Sequence, residues 1–171
     1  MRPNIADRLD FGMDSTCSGR PGVAMMERVI NEGYLVKGIY IGTNNPEINI
    51  ARIAYRVNMN LGHRVDPDRI PDRYRHSLSN LWKKFDQFDE LELIDNSADD
   101  ELHLPVPVLQ CVVIKGAVDE QLPRKDMSAW CRTLLDRIDH ARDMHEMREA
   151  RLERKQVRRS QTNSDRQSDS S

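Results

Sequence analysis

Between Arg56 and Asn80 the chain brings cations together from three segments: Arg56-Val57 at the end of one helical pattern, Gly62-His63-Arg64-Val65 in a loop, and Arg73-Tyr74-Arg75-His76 at the start of the next helix. Guanidinium forks match phosphate oxygens two at a time, and a loop between helices is where a closing lid presents them. The chemistry implied is recognition of a phosphorylated ligand. A solvated face with ordinary ion pairs is the competing account of the same charges. Polar clusters at Asp14-Ser15-Thr16, Gly42-Thr43-Asn44 and Asp95-Asn96-Ser97 stand where strands are expected to end. In α/β proteins ligands gather at such ends, and turns alone also account for them.

Other chemistries are poorly served. Ser15, Ser18 and Ser77 lack a G-x-S-x-G elbow and have no histidine tied to them by sequence. His140 and His145 fall on different faces of a helix, so no metal site is read there. Cys17, Cys111 and Cys131 are widely spaced and form no C-x-x-C pair, which argues for reduced thiols.

The elements that must position these residues alternate. Leu9 to Met13 reads as a short strand. Val23, Met26 and Ile30 then mark a helix closed by Gly33. Tyr34 to Gly42 is an apolar, β-branched strand, followed by a helix that starts near Pro46 and carries Ile50, Ile53, Ala54 and Val57 as far as Gly62. His63 to Pro71 is a polar loop or lid. Tyr74, Leu78, Leu81 and Phe85 define the next helix, and Leu91 to Ile94 and Val108 to Ile114 are further strands. A long helix begins near Asp126 with Met127, Trp130, Leu134, Ile138 and Ala141 as its apolar stripe, Trp130 belonging to the core. From Arg142 to Arg159 charges of both signs replace the stripe, and Ser160 to Ser171 hold no apolar residue, the composition of a disordered tail. The organisation read is an α/β domain with a mainly parallel sheet over 1–141, a charged helical extension over 142–159 and a tail over 160–171.

Composition narrows the function. The 26 Lys and Arg against 28 Asp and Glu leave none of the basic excess that nucleic-acid binding requires. No run approaches a membrane span and Met1 to Asp10 is no signal core, so a cytoplasmic protein without nucleic-acid or membrane partners is expected.

The order of Asp14-Ser15-Thr16-Cys17-Ser18-Gly19, Tyr40-Ile41-Gly42, Pro46-Glu47, Arg56-Val57, Gly62-His63, Arg73-Tyr74, Ser77-Leu78, Asn80-Leu81 and Asp95-Asn96-Ser97 resembles the zeta-toxin-like P-loop kinases. The branch is the bacterial one described as predicted ABC-type ATPases. The likeness covers about residues 10 to 97. It implies an adenylate-kinase-like, three-layer domain that binds ATP and Mg2+ and transfers a phosphoryl group to a small acceptor such as a nucleotide sugar. Arg56 and Arg73 match the lid arginines, with implied catalytic and ATP-binding roles. Asp14, Thr16, His63 and Asn80 match the implied substrate side.

The departures are as informative. The sequence has no Gly-Lys-Ser/Thr phosphate loop, and the family's catalytic aspartate region has no counterpart in it. Asp14 stands for a Glu, Leu61 for a Gly, Asp66 for a Pro and His76 for an Arg. The resemblance therefore implies an incomplete, N-terminally truncated kinase domain, inactive alone. It would be served by a separately encoded N-terminal piece or an antitoxin-like partner, with an exposed sheet edge where the rest of the fold would pack. A non-catalytic binding or interaction protein that keeps the substrate and lid half is the alternative.

Overall fold

The computed structural model describes residues 5–99 and 104–168, with side chains left aside at Ala6 and over 154–168. Two compact units divide the chain at Leu134/Leu135. The first holds the sheet and most of the helices.

Helix α1 (Arg20–Asn31) ends as expected at Gly33, whose φ of 78° lets its N–H reach Ile30 O and that of Tyr34 reach Val29 O. Strand β1 (Lys37–Gly42) follows, then α2 (Pro46–Asn58), which Asn45 caps by accepting from Ile48 N. The end of α2 comes earlier than Gly62 because Asn60, at φ 56°, takes the left-handed position. Its N–H bonds Val57 O and that of Leu61 bonds Arg56 O, which closes the helix beside Arg56. A single turn of 3-10 helix at Pro67–Arg69 leads into α3 (Ile70–Lys84), so the expected lid narrows to the segment before Pro67. Strands β2 (Glu90–Asp95), β3 (Val108–Ile114) and β4 (Ala117–Glu120) precede α4 (Ala129–Ser168). The start of α4 falls after another 3-10 turn at Arg124–Asp126.

The sheet order is β1-β2-β3-β4. Only β1 and β2 run parallel, and the β2–β3 and β3–β4 pairs are antiparallel, which corrects the expectation of a mainly parallel sheet. Two things bring this about: β3 runs back against β2, and a further strand, β4, which the sequence reading lacks, runs back against β3. Lys115 and Gly116, at φ 48° and 79°, form a two-residue turn of the kind that twists with its strands and returns the chain beside β3. Leu9 to Met13 is likewise not a strand. It forms no regular structure; Tyr34 Oη donates to the Leu9 carbonyl and its ring meets Phe11 edge-on.

One sheet face is the core. Leu91, Leu93, Cys111 and Val113 are fully buried on it. Beside them in β1 stand Gly38, Tyr40 and Gly42. The two glycines matter because a Cβ at Gly38 would lie 2.6 Å from the Phe88 ring and one at Gly42 2.6 Å from the Trp130 ring. On the alternate face Ile39, Ile41, Leu109 and Ile114 are exposed and Glu92, Ile94 and Val112 half-buried, so among the described residues this face is covered less than the core face.

The second unit is the continuation of α4. Leu135 and Ile138 are buried, and every side chain from His140 to Glu153 is exposed, with His145 Nδ1 3.6 Å from Glu149. The helix runs on to Ser168, through most of the segment whose composition predicts disorder. Once a helix is nucleated, each added residue gains a backbone hydrogen bond, and Arg and Gln propagate it well. Residues 169–171 lie outside the described residues. No helix among the described residues is long and apolar enough to cross a membrane.

Candidate functional site

The parallel pairing of β1 and β2 sets Gly42 against Asp95, so two of the polar clusters meet at one sheet end. They spend their polar groups on each other. Asn44 N donates to Ser97 Oγ at 2.8 Å, and that hydroxyl donates to Asp95 Oδ1 at 2.7 Å. Asn44 Oδ1 accepts from Ala129 N and so satisfies a first-turn donor of α4. Arg52 reaches Asn96 O at 2.5 Å and pairs with Asp99. The third cluster, Asp14-Ser15-Thr16, is a loop and not a strand end.

In front of this sheet end lies a cleft of about 520 Å3. Its walls include Thr16, Arg56, His63 and Arg73, four of the residues that the resemblance places at the site. Asp14 and Asn80 are not in it; they line a neighbouring groove of about 510 Å3 that Thr16 also borders. Asn80 has a structural task there. Its Nδ2 donates to Cys17 O at 2.8 Å and holds the left-handed turn at Cys17, φ 53°, with which the Thr16 loop ends.

Charge pairing separates the arginines. Arg75 pairs with Asp72, and Arg69 Nε lies 3.7 Å from Asp66 Oδ2. Arg56 and Arg73 have no carboxylate within ion-pair distance among the described residues, yet both border the cleft. The first turn of α3, which carries Arg73, adds the positive end of a helix dipole to the same wall.

Tyr40, Tyr74 and Ser77 complete the cleft and were not singled out as site residues from sequence. Tyr40 Oη and Ser77 Oγ share a hydrogen bond of 3.0 Å, and Tyr74 Oη donates to Thr43 O at 2.8 Å. Burial pushes the Tyr40 phenol up to about 12, against the opposing pull of the Ser77 hydrogen bond. Burial, with Asp95 and Glu47 adding to it, also raises Tyr74. Both phenols therefore stay protonated at neutral pH and act as hydrogen-bonding groups, not bases. The available signals were a tyrosine inside an otherwise apolar strand and the Tyr74, Ser77 spacing of three, which puts both on one face of α3.

The thiols differ in their surroundings: the hydrogen bond with Cys131 lowers Cys111 against the opposing effect of burial. Burial raises Cys17, and the Cys111 hydrogen bond together with burial pushes Cys131 up.

No family model matches the chain, and no solved structure does. An uncharacterized protein of Haemophilus influenzae is 39% identical to it over 70 residues, 41% of this chain and 49% of that protein. The chain thus matches about half the length of that curated relative.

Proposed function

We propose that the chain is the acceptor-binding and lid part of a zeta-toxin-like phosphotransferase, and that its cleft takes a phosphorylated small molecule such as a nucleotide sugar. The observation that supports this most is that Arg56 and Arg73, from the end of one helix and the start of the next, border one cleft without carboxylate partners among the described residues. In this reading the two guanidinium groups hold phosphate oxygens, His63 adds a ring nitrogen, and Tyr40 and Ser77 offer neutral hydrogen bonds to the rest of the ligand.

The residues present do not fit ATP with Mg2+. In P-loop kinases a glycine-rich loop and its Lys hold the phosphates and its Ser or Thr holds the metal. This sequence contains no Gly-Lys-Ser/Thr, and the described residues hold no group of three or more metal-ligating side chains. No phosphoryl-transfer step is therefore assigned to this chain's own residues.

The same mismatch favours a second reading, in which the chain is a non-catalytic binding protein that uses the cleft without transferring anything. Both readings require ligand binding. Calorimetric titration with uridine and adenosine diphosphate sugars tests it: binding weakened about tenfold or more by Arg73→Ala supports an arginine-held phosphate, as loss of a charge-assisted hydrogen bond costs about 1.5–3 kcal/mol. Binding indifferent to both Arg56→Ala and Arg73→Ala, or no binding at all, overturns the proposal. Both readings predict no product when this chain alone is incubated with ATP, Mg2+ and the bound sugar, and product formed there overturns both.

A further inference from the structure

Strand β1 is the outermost strand of the sheet, and no backbone group among the described residues hydrogen-bonds its second edge. The carbonyls of Val36 and Gly42 accept from the β2 side, from Asp89 N and Asn96 N. By the alternation of a parallel ladder, Lys37, Ile39 and Ile41 therefore turn their N–H and C=O groups to the unpaired edge. Such edges are usually guarded by proline, inward-pointing charge, a bulge or a covering loop. Lys37 is the single charge in β1, and the strand has neither proline nor bulge. That leaves a covering loop.

The chain holds such a segment alongside. The groove of about 510 Å3 has Leu35 to Ile41 as one wall and Phe11 to Cys17 as another. These walls run in the same direction: Leu9 O meets Tyr34 Oη at one end, and Thr16 and Ile41 both reach the cleft at the other, the partners standing 25 positions apart in each case. Helix α1 links the two, the kind of crossover that parallel strands need. Gly12, Met13 and Asp14 make no backbone–backbone hydrogen bond among the described residues, and a Cβ at Gly12 would meet nothing within 4 Å. Leu9, Phe11 and Met13, alternate residues with a strand's composition, are 61%, 38% and 51% exposed. We propose that this segment is a strap: Leu9 to Met13 closes across the groove and pairs in parallel with β1 as a fifth strand of the sheet.

Closure gives the N–H and C=O groups of Lys37, Ile39 and Ile41 their partners and brings three exposed apolar side chains against β1. Two fixed points bound the strap. Tyr34 holds its start, through Leu9 O and the edge-on contact with Phe11, and Asn80 holds its end, through Cys17 O. The hydrogen bond to Leu9 O is 3.4 Å long and yields easily. Because Thr16, Tyr40, Ile41 and Ser77 border both cavities, the closed strap separates the cleft from the groove. Tethering selects this segment over a strand from elsewhere, since it lies beside β1 at every protein concentration.

Amide hydrogen exchange of the whole isotope-labelled chain, read residue by residue by nuclear magnetic resonance, tests the strap. The N–H groups of Ile39 and Ile41 are expected to exchange slowly in the wild-type chain, and about tenfold or more faster in Gly12→Pro or Met13→Pro. Adjacent residues of a strand turn their N–H groups to opposite edges, so in either register one of the two prolines removes a donor that faces β1. The Leu93 N–H, in β2 between β1 and β3, should stay unchanged and reports an intact sheet. Fast exchange of Ile39 and Ile41 in the wild-type chain, protection that neither proline reduces, or protection that grows with protein concentration and so comes from another molecule would overturn the proposal.

Discussion

The indole Nε1 of Trp130 donates to Asp95 Oδ1 at 2.7 Å in the buried layer of the first unit. The same carboxylate accepts from Ser97 Oγ and Ser97 N, at 2.7 and 3.2 Å. The last residue of β2 is thereby locked to the first turn of α4, and the turn that bounds the cleft is held from behind. Trp130→Phe removes a donor to a carboxylate and is expected to lower stability by about 1.5–3 kcal/mol, and Asp95→Ala, which also takes the acceptor from Ser97 Oγ and Ser97 N, by more. Because both remove one interaction, the double variant should lose less than the sum. Urea denaturation of the four proteins measures the coupling.

Gly42→Ala presses a methyl group into the Trp130 ring. With Cβ contacts of 2.6 and 2.7 Å to a ring that is itself hydrogen-bonded and packed on Tyr40, the ring cannot swing aside cheaply. A loss of about 1–3 kcal/mol is expected, the range for an overpacked core. In Trp130→Phe the obstructing six-membered part of the indole is gone, so the Gly42→Ala penalty should shrink in that background, read as a smaller drop in the urea midpoint.

The Tyr40 phenol makes the unit sensitive to alkali. Its pKa in the fold is about 12, above the ordinary tyrosine value of 10.0. The folded state therefore keeps its proton over a pH range where the unfolded state loses it. Stability from this group is complete below about pH 10 and falls as pH rises toward 12, by up to about 2–3 kcal/mol. Tyr40→Phe should flatten that decline, apart from a constant offset for the lost Ser77 hydrogen bond. Denaturation midpoints from pH 8 upward, with phenolate absorbance recorded alongside, check both the sign and the assignment.

Removing the paired arginines offers a control for the cleft. Arg75→Ala deletes a surface ion pair with Asp72, on side chains 73% and 63% exposed, and should change neither stability nor ligand affinity beyond a few tenths of a kcal/mol. Arg73→Ala, two residues away, should leave stability equally unaffected and weaken ligand binding. Parallel thermal melts and titrations of the two variants distinguish a ligand-directed guanidinium from a merely solvated one.

Helices were readable because their signals are local: Gly33 closes α1, Pro46 opens α2 and the stripe from Tyr74 to Leu81 marks α3. The sheet was less so. Strand direction depends on which segments pair: nothing local tells that β3 runs back against β2, and the β3–β4 hairpin hangs on Lys115 and Gly116, a turn pair without the Asn-Gly or Asp-Gly signature. Leu9 to Met13 has a strand's composition and no paired neighbour. At the site, the cationic stretch was legible as a whole, but its Arg64, Arg75 and His76 lie outside the cleft, and it was the resemblance that picked out Arg56, His63 and Arg73, which line it. It could not reveal that Asn80 turns to the Cys17 carbonyl, nor that Tyr40 and Ser77 pair across 37 residues of chain.

The pairing of β1 with β2 also carries an entropic cost. The β3–β4 hairpin closes over two residues, whereas Lys37 and Glu90 must find each other across 53 residues before β1 joins. The strand that floors the cleft is thus held by the most non-local pairing of the described sheet.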